Sequence, residues 1–257
     1  MSEPLRYVAI GDSLSEGVGD EPWPDGTLRG WTDRLAELLV EAHRPDRPIE
    51  YANLAVRGYK AAEVRDTQVS EALAMEPQLV TLTAGMNDIL RPRLDLDALA
   101  ATLVEIVAPF TARGARLVVV PIPDIRGISP AGRLLNTRRL RLNTIYRDLA
   151  RHHGIEQVTD TTGTVFEDSR AWAEDRLHLS PLGHERLAHA AAAIFGCTTG
   201  VDALAPPDGG SPRRTLQSQA AWWWEYVAPW VGRRLRGQST GDGRTAKRPE
   251  LTPFVRP

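Results

Sequence analysis

Tyr7-Val8-Ala9-Ile10-Gly11-Asp12-Ser13-Leu14-Ser15-Glu16-Gly17 stands near the start of the sequence, and its reading decides the fold. Four consecutive apolar residues without polar alternation predict a strand buried on both faces, which Gly11-Asp12 stop in a turn. A strand of that kind belongs to a parallel sheet covered by helices, and working outward the same unit repeats. Residues 31–43 carry Leu35, Leu38 and Leu39 on one helical face; strands are predicted at 49–54, 79–83, 117–122 and 156–159, and helices at 61–75, 94–112, 134–153 and 181–195. Five strands alternating with helices predict an α/β fold. The expected form is a three-layer α/β/α sandwich around a five-stranded parallel sheet in the flavodoxin-like order 2-1-3-4-5.

The composition agrees with that class and narrows the function. The chain has 257 residues, 42% hydrophobic and 25% charged, as expected of one large globular domain with an appendage. A single cysteine, Cys197, can form no internal disulfide. No apolar run approaches the roughly 20 residues of a membrane span, and the N-terminal residues lack the apolar core of a signal peptide, so a cytoplasmic protein is expected. The net charge of -2 is unevenly spread: residues 198–257 hold nine basic and five acidic side chains, leaving an acidic body at 1–197. An acidic body speaks against nucleic acid as a partner.

After Cys197 the texture changes. The predicted division is a folded domain at 1–197 and a tail at 198–257. Residues 198–214 are rich in Gly, Pro, Asp and Ser and read as a linker. Residues 216–236 are expected to form a helix holding Trp222, Trp223, Trp224, Tyr226 and Trp230, and residues 238–257 return to a linker-like, basic composition.

In open α/β sheets, ligands bind outside the carboxyl ends of the strands, where strand order reverses. The loops that follow the first three strands contain Ser13, Gly58 and Asn87. In the order 2-1-3-4-5 they are neighbours at one crevice. A serine at a strand-to-helix turn can serve as a nucleophile, and an acyl-transfer oxyanion needs fixed donors about 2.7–3.1 Å away. The N–H groups of Ser13 and Gly58 and the amide of Asn87 are candidates. The base is expected in Asp175-Arg176-Leu177-His178, where a carboxylate three residues before a histidine can bond Nδ1 and leave Nε2 facing the serine. Ser180 as N-cap and Pro181 in the first turn place His178 on the loop before the last core helix.

These stretches resemble the SGNH hydrolases, the GDSL esterase/lipase family. The resemblance rests on Gly-Asp-Ser-Leu at 11–14, the run Asn-Leu-Ala-Val-Arg-Gly ending at Gly58, Gly-Met-Asn-Asp at 85–88 and Asp-Arg-Leu-His at 175–178, four blocks in order. It implies a serine esterase with Ser13 as nucleophile, His178 as base, Asp175 orienting it, and Ser13, Gly58 and Asn87 forming the oxyanion hole. It implies no cofactor and a small-molecule ester as substrate; relatives act on acetylated sugars, lysophospholipids, thioesters and short aryl esters. Met86 stands where the third block commonly has Gly, which touches local pocket shape and spares Asn87.

Other readings of the same residues remain. Ser13 alone could cap a helix and Gly58 serve a turn, while Asp12 and Asp88 are expected to hold their loops and His184 to pack. Asp12, Asp88, Asp175, His178 and His184 could instead bind a hydrolytic metal ion, although no recognised ligand spacing is present. The Trp-rich tail could lie at a bilayer surface, in a partner's groove, or back on the domain. Trp23 and Trp31 are expected to line the pocket or pack beneath it.

Overall fold

The structure is a computed structural model that describes residues 3–43, 47–158, 163–209, 225 and 240–256. Strands β1 (Leu5–Gly11), β2 (Ile49–Asn53), β3 (Leu79–Thr83), β4 (Arg116–Val119) and β5 (Glu156–Gln157) are parallel, and β6 (Arg248–Pro253) runs antiparallel beside β2. The order is β5-β4-β3-β1-β2-β6. The first five strands thus take the expected order, and the sheet has six strands rather than five.

Helices cover both faces. They are α1 (Ser13–Glu16), α2 (Trp31–His43), α3 (Ala61–Val64), α4 (Ser70–Ala74), α5 (Met86–Ile89), α6 (Leu96–Thr111), α7 (Pro130–His153) and α8 (Pro181–Ile194). Strand β1 shows why the first apolar run has no alternation. Tyr7 and Ala9 enter a core with Trp31, Leu35 and Leu39 of α2 and Leu187 of α8, while Val8 and Ile10 enter the opposite core with Leu103 and Phe110 of α6 and Leu142 and Tyr146 of α7. Alternate residues face alternate layers, and both layers are apolar.

Three expectations are corrected. Residues 238–257 do not all read as linker: β6 pairs with β2 through Tyr51↔Thr252 and Asn53↔Arg248, with a register break between. Pro249 and Pro253 hid this strand, yet proline is tolerated at a sheet edge, where a missing N–H breaks no ladder bond. The strand is anchored by Phe254, edge-on to Tyr51 at 5.7 Å, and by the Arg248 guanidinium, 5.6 Å from the Tyr51 ring centre. Second, the helix predicted at 61–75 is interrupted by a π-helical turn at Arg65–Val69. That turn carries Gln68, which accepts from the N–H of Gly11 at 2.7 Å and donates to its carbonyl at 2.9 Å. Third, part of the 198–214 stretch packs on the domain. Leu204 O accepts from Val165 N–H at 3.0 Å, and Arg170 donates to the carbonyls of Pro207, Asp208 and Gly209.

Of the helix expected at 216–236 only Glu225 is among the described residues, and Thr159 at the end of the fifth predicted strand lies outside them. Among the described residues, no helix is long and apolar enough to cross a membrane.

Candidate active site

Helix α1 begins where β1 ends. Its N-cap is Asp12, not Ser13: Asp12 Oδ1 accepts from Leu14 N–H at 3.2 Å and from the Thr83 hydroxyl at 3.0 Å. Thr83 Oγ1 also lies 2.9 Å from Ser15 Oγ, so the end of β3 is stitched to the turn carrying Ser13. Burial pushes the Asp12 carboxyl up to about 6, against the downward pull of the Leu14 and Thr83 hydrogen bonds and of His178. Asp12 holds the turn, as expected, and leaves the Ser13 hydroxyl to another partner.

That partner is His178. Its Nε2 lies 3.1 Å from Ser13 Oγ, and its Nδ1 lies 2.6 Å from Asp175 Oδ2, three residues earlier in the chain. Asp175 Oδ1 meanwhile accepts from the N–H groups of Leu177 and His178, both at 3.0 Å. Arg176 makes this wrap possible by adopting φ of 56°, a left-handed conformation unusual for a side-chain-bearing residue. Burial raises the Asp175 pKa, but the hydrogen bond and charge of His178 and the two backbone donors outweigh it and bring it below the ordinary value. An ionised Asp175 fixes the Nδ1–H tautomer, so the neutral ring offers Nε2 as acceptor to the serine hydroxyl. Ser180 and Pro181 start α8 as expected, with Ser180 Oγ accepting from Gly183 N–H.

The other two loops converge on the same end of the sheet. Val56 N–H donates to Gly11 O at 3.1 Å, continuing the β1–β2 pairing past the strand ends. Arg57 then grips helix α1, its N–H donating to Glu16 Oε2 at 2.6 Å and its guanidinium to Glu16 Oε1 at 2.7 Å. Gly58 follows with φ of 81°, which a side chain would resist. Asn87 Nδ2 donates one hydrogen to Tyr59 O at 3.0 Å, placing its amide beside the Gly58 turn with the second amide hydrogen left for another acceptor. Asp88 Oδ2 accepts from Ala61 N–H at 3.0 Å, joining the β3 loop to the start of α3. Among the described residues, the N–H groups of Ser13 and Gly58 have no protein acceptor.

The competing residues are otherwise engaged. His184 is fully buried; Trp31 N–H donates to its Nδ1 at 3.1 Å and its Nε2–H donates to Val18 O at 3.1 Å. Burial pushes its pKa down to about 4, so it packs as a neutral ring, as expected. Trp31 lies in the core beneath the site, and Trp23 is buried under the Arg29 guanidinium, 4.5 Å from the ring centre. Asp12, Asp88, Asp175, His178 and His184 are each held by hydrogen bonds within the protein, and no group of three ligating side chains gathers among the described residues. Sequence reasoning missed Gln68, Glu16 and Tyr59, which orient the loops without reacting. Their signal lies in tertiary pairing and leaves no local spacing to detect.

Residues 9–186 match the GDSL-like lipase/acylhydrolase family. A match to the uncharacterized protein YpmR of Bacillus subtilis (strain 168) is 29% identical over 93 residues, 35% of this chain and 34% of that protein; the chain spans about a third of the length of this curated relative. Solved structures give the fold. LAE5, an alpha/beta hydrolase enzyme from the metagenome of Lake Arreo, is 21% identical with a TM-score of 0.64 over 77% of this chain and 98% of that one. The lipase/acylhydrolase of Enterococcus faecalis is 17% identical with a TM-score of 0.60 over 80% and 100%. Axe2, an acetylxylan esterase from Geobacillus stearothermophilus, is 18% identical with a TM-score of 0.60 over 80% and 99%. With a match over more than half its length, the chain belongs to the GDSL-like lipase/acylhydrolase family.

Proposed function

We propose that this chain hydrolyses carboxylic esters of small molecules through an acyl-enzyme on Ser13, without a cofactor. The observation that carries the reading is the line Asp175–His178–Ser13, with contacts of 2.6 Å and 3.1 Å. As Ser13 Oγ attacks the ester carbonyl carbon, His178 Nε2 takes its proton, and Asp175 stabilises the imidazolium. The negative oxygen of the tetrahedral intermediate is held by the N–H groups of Ser13 and Gly58 and by the free hydrogen of the Asn87 amide. Collapse breaks the carbon–oxygen bond to the alcohol, which leaves with the proton from His178. Water, deprotonated by the same Nε2, then attacks the acyl-Ser13 ester, and the carboxylic acid departs as Ser13 regains its hydrogen. The names of the similar structures, a lipase/acylhydrolase and an acetylxylan esterase, point to acyl groups on alcohol or sugar oxygens as the substrate class.

The test is steady-state turnover of p-nitrophenyl esters of increasing acyl length by wild type, Ser13→Ala and His178→Ala. Both variants are expected to lose about 10⁴-fold or more in kcat, the scale set by losing one member of such a triad. A Ser13→Ala protein within tenfold of wild type would contradict the reading.

A further inference from the structure

The family match ends at residue 186, yet residues 240–247 lie at the end of the sheet that carries Ser13, and β6 runs from there along the edge of β2. Gly241 sits directly on the backbone of the β2 loop: a Cβ there would stand 2.2 Å from Arg57 O and 3.3 Å from the Tyr59 ring. Arg57 C=O and Gly58 N–H are the two ends of one planar trans peptide and point in opposite directions, so whatever fixes the carbonyl fixes the N–H. Glu16 holds the N–H of Arg57 on one side of that residue, and Gly241 closes over its carbonyl on the other. Further along, Lys247 Nζ donates to Leu28 O at 3.1 Å and to Asp33 Oδ2 at 2.5 Å, and β6 seals the edge of β2. The segment is therefore fastened at both ends of its described length.

We infer that residues 240–256 are a strap that positions the Arg57–Gly58 peptide for oxyanion binding, with Gly241 as the positioning residue. The inference rests on the reading of Gly58 as a donor. It assigns a catalytic consequence to a part of the chain outside the family match. Gly241 has an unexceptional φ, so the requirement for glycine there is one of space, and any side chain displaces the peptide rather than straining its own backbone.

The test uses the full chain with Gly241→Ala, Gly241→Val and a control, Leu149→Ala, which empties a core position on α7 and lowers stability. Turnover of p-nitrophenyl acetate and hydrogen–deuterium exchange over residues 55–60 are measured on each. A tilted oxyanion donor is expected to lower kcat about tenfold for Gly241→Ala and about a hundredfold for Gly241→Val, with KM within twofold. Exchange at 55–60 should quicken in both, whereas Leu149→Ala keeps the wild-type kcat and the wild-type exchange at 55–60. Wild-type kcat in both glycine variants, or an equal fall in Leu149→Ala, would overturn the inference. Should wild type turn over no ester, the ester-hydrolase reading and the catalytic role of the strap fail together. Exchange at 55–60 then shows separately whether Gly241 holds the loop.

Discussion

Arg57 meets the Glu16 carboxylate from two directions, with its backbone N–H at 2.6 Å and its guanidinium at 2.7 Å. The pair joins helix α1, which begins at Ser13, to the loop that carries Gly58. Its members belong to segments 41 residues apart that meet only because β1 and β2 are neighbours. Both side chains are largely withdrawn from water. Removing Glu16 leaves an uncompensated guanidinium and an unpaired N–H, so Glu16→Ala is expected to cost about 3 kcal/mol in urea unfolding. Adding Arg57→Met should recover part of it. A loss of under about 1 kcal/mol for the single variant would show that the pair is not holding the two loops.

Asp175→Asn separates orientation from charge. Asn keeps an acceptor for the N–H groups of Leu177 and His178, so the turn survives, but its amide can donate to Nδ1 and favour the wrong tautomer. The expected outcome is an unchanged melting temperature with kcat lowered about 10³–10⁴-fold. A kcat within tenfold would mean that the imidazole is positioned without Asp175.

Asn87 donates one amide hydrogen to Tyr59 O, and the proposed reaction uses the other. Truncation to Ala should lower kcat about 10²–10³-fold and leave KM nearly unchanged, because the lost hydrogen bond exists only once negative charge develops. A rise in KM with constant kcat would instead place Asn87 in ground-state binding.

His184 makes stability depend on pH. Its folded pKa is pushed down to about 4 by burial, chiefly, while Asp20 and the Val18 carbonyl pull it partly back. In the unfolded chain the ring takes its proton near pH 6.5, so between those values the unfolded state binds more protons. Stability from this group is therefore complete above about pH 6.5 and is lost progressively as pH falls towards about 4. Gln at this position can still accept from Trp31 N–H and donate to Val18 O, yet it does not titrate. Between pH 7.5 and pH 5.0, wild type should lose about 2 kcal/mol more than His184→Gln in urea melts. Asp12, whose pKa is pushed up to about 6, gains stability on acidification with the opposite sign and cancels in the comparison. Parallel pH profiles for the two proteins would contradict a neutral, buried His184.

The parts of the fold legible in the sequence are those encoded by local periodicity. The strand 79–83 and the helix 31–43 coincide with β3 and α2 because each carries its own apolar pattern and needs no distant partner to define it. The contact line proposed as a triad was legible because Asp175 and His178 share one turn and Ser13 follows directly on a strand. The sixth strand was not. Arg248-Pro249-Glu250-Leu251-Thr252-Pro253 has neither alternation nor high strand propensity, and it pairs because β2 offers it an edge and Tyr51 offers a ring for Arg248 and Phe254. Gln68 was hidden for a related reason: a π-turn aims it at Gly11, 57 residues away, and helical periodicity carries no sign of that contact.

The central claim is that Ser13, and not its neighbour Ser15, is the activated nucleophile. Ser15 is buried with its hydroxyl 2.9 Å from Thr83 Oγ1, whereas Ser13 faces His178. The most direct measurement is intact mass followed by peptide mapping after incubation with a fluorophosphonate, on wild type and Ser13→Ala, with and without a chelator. The account predicts one adduct on wild type, located at Ser13, absent in the variant and indifferent to the chelator. An adduct that persists in Ser13→Ala, or a folded wild-type protein that takes none, would contradict it.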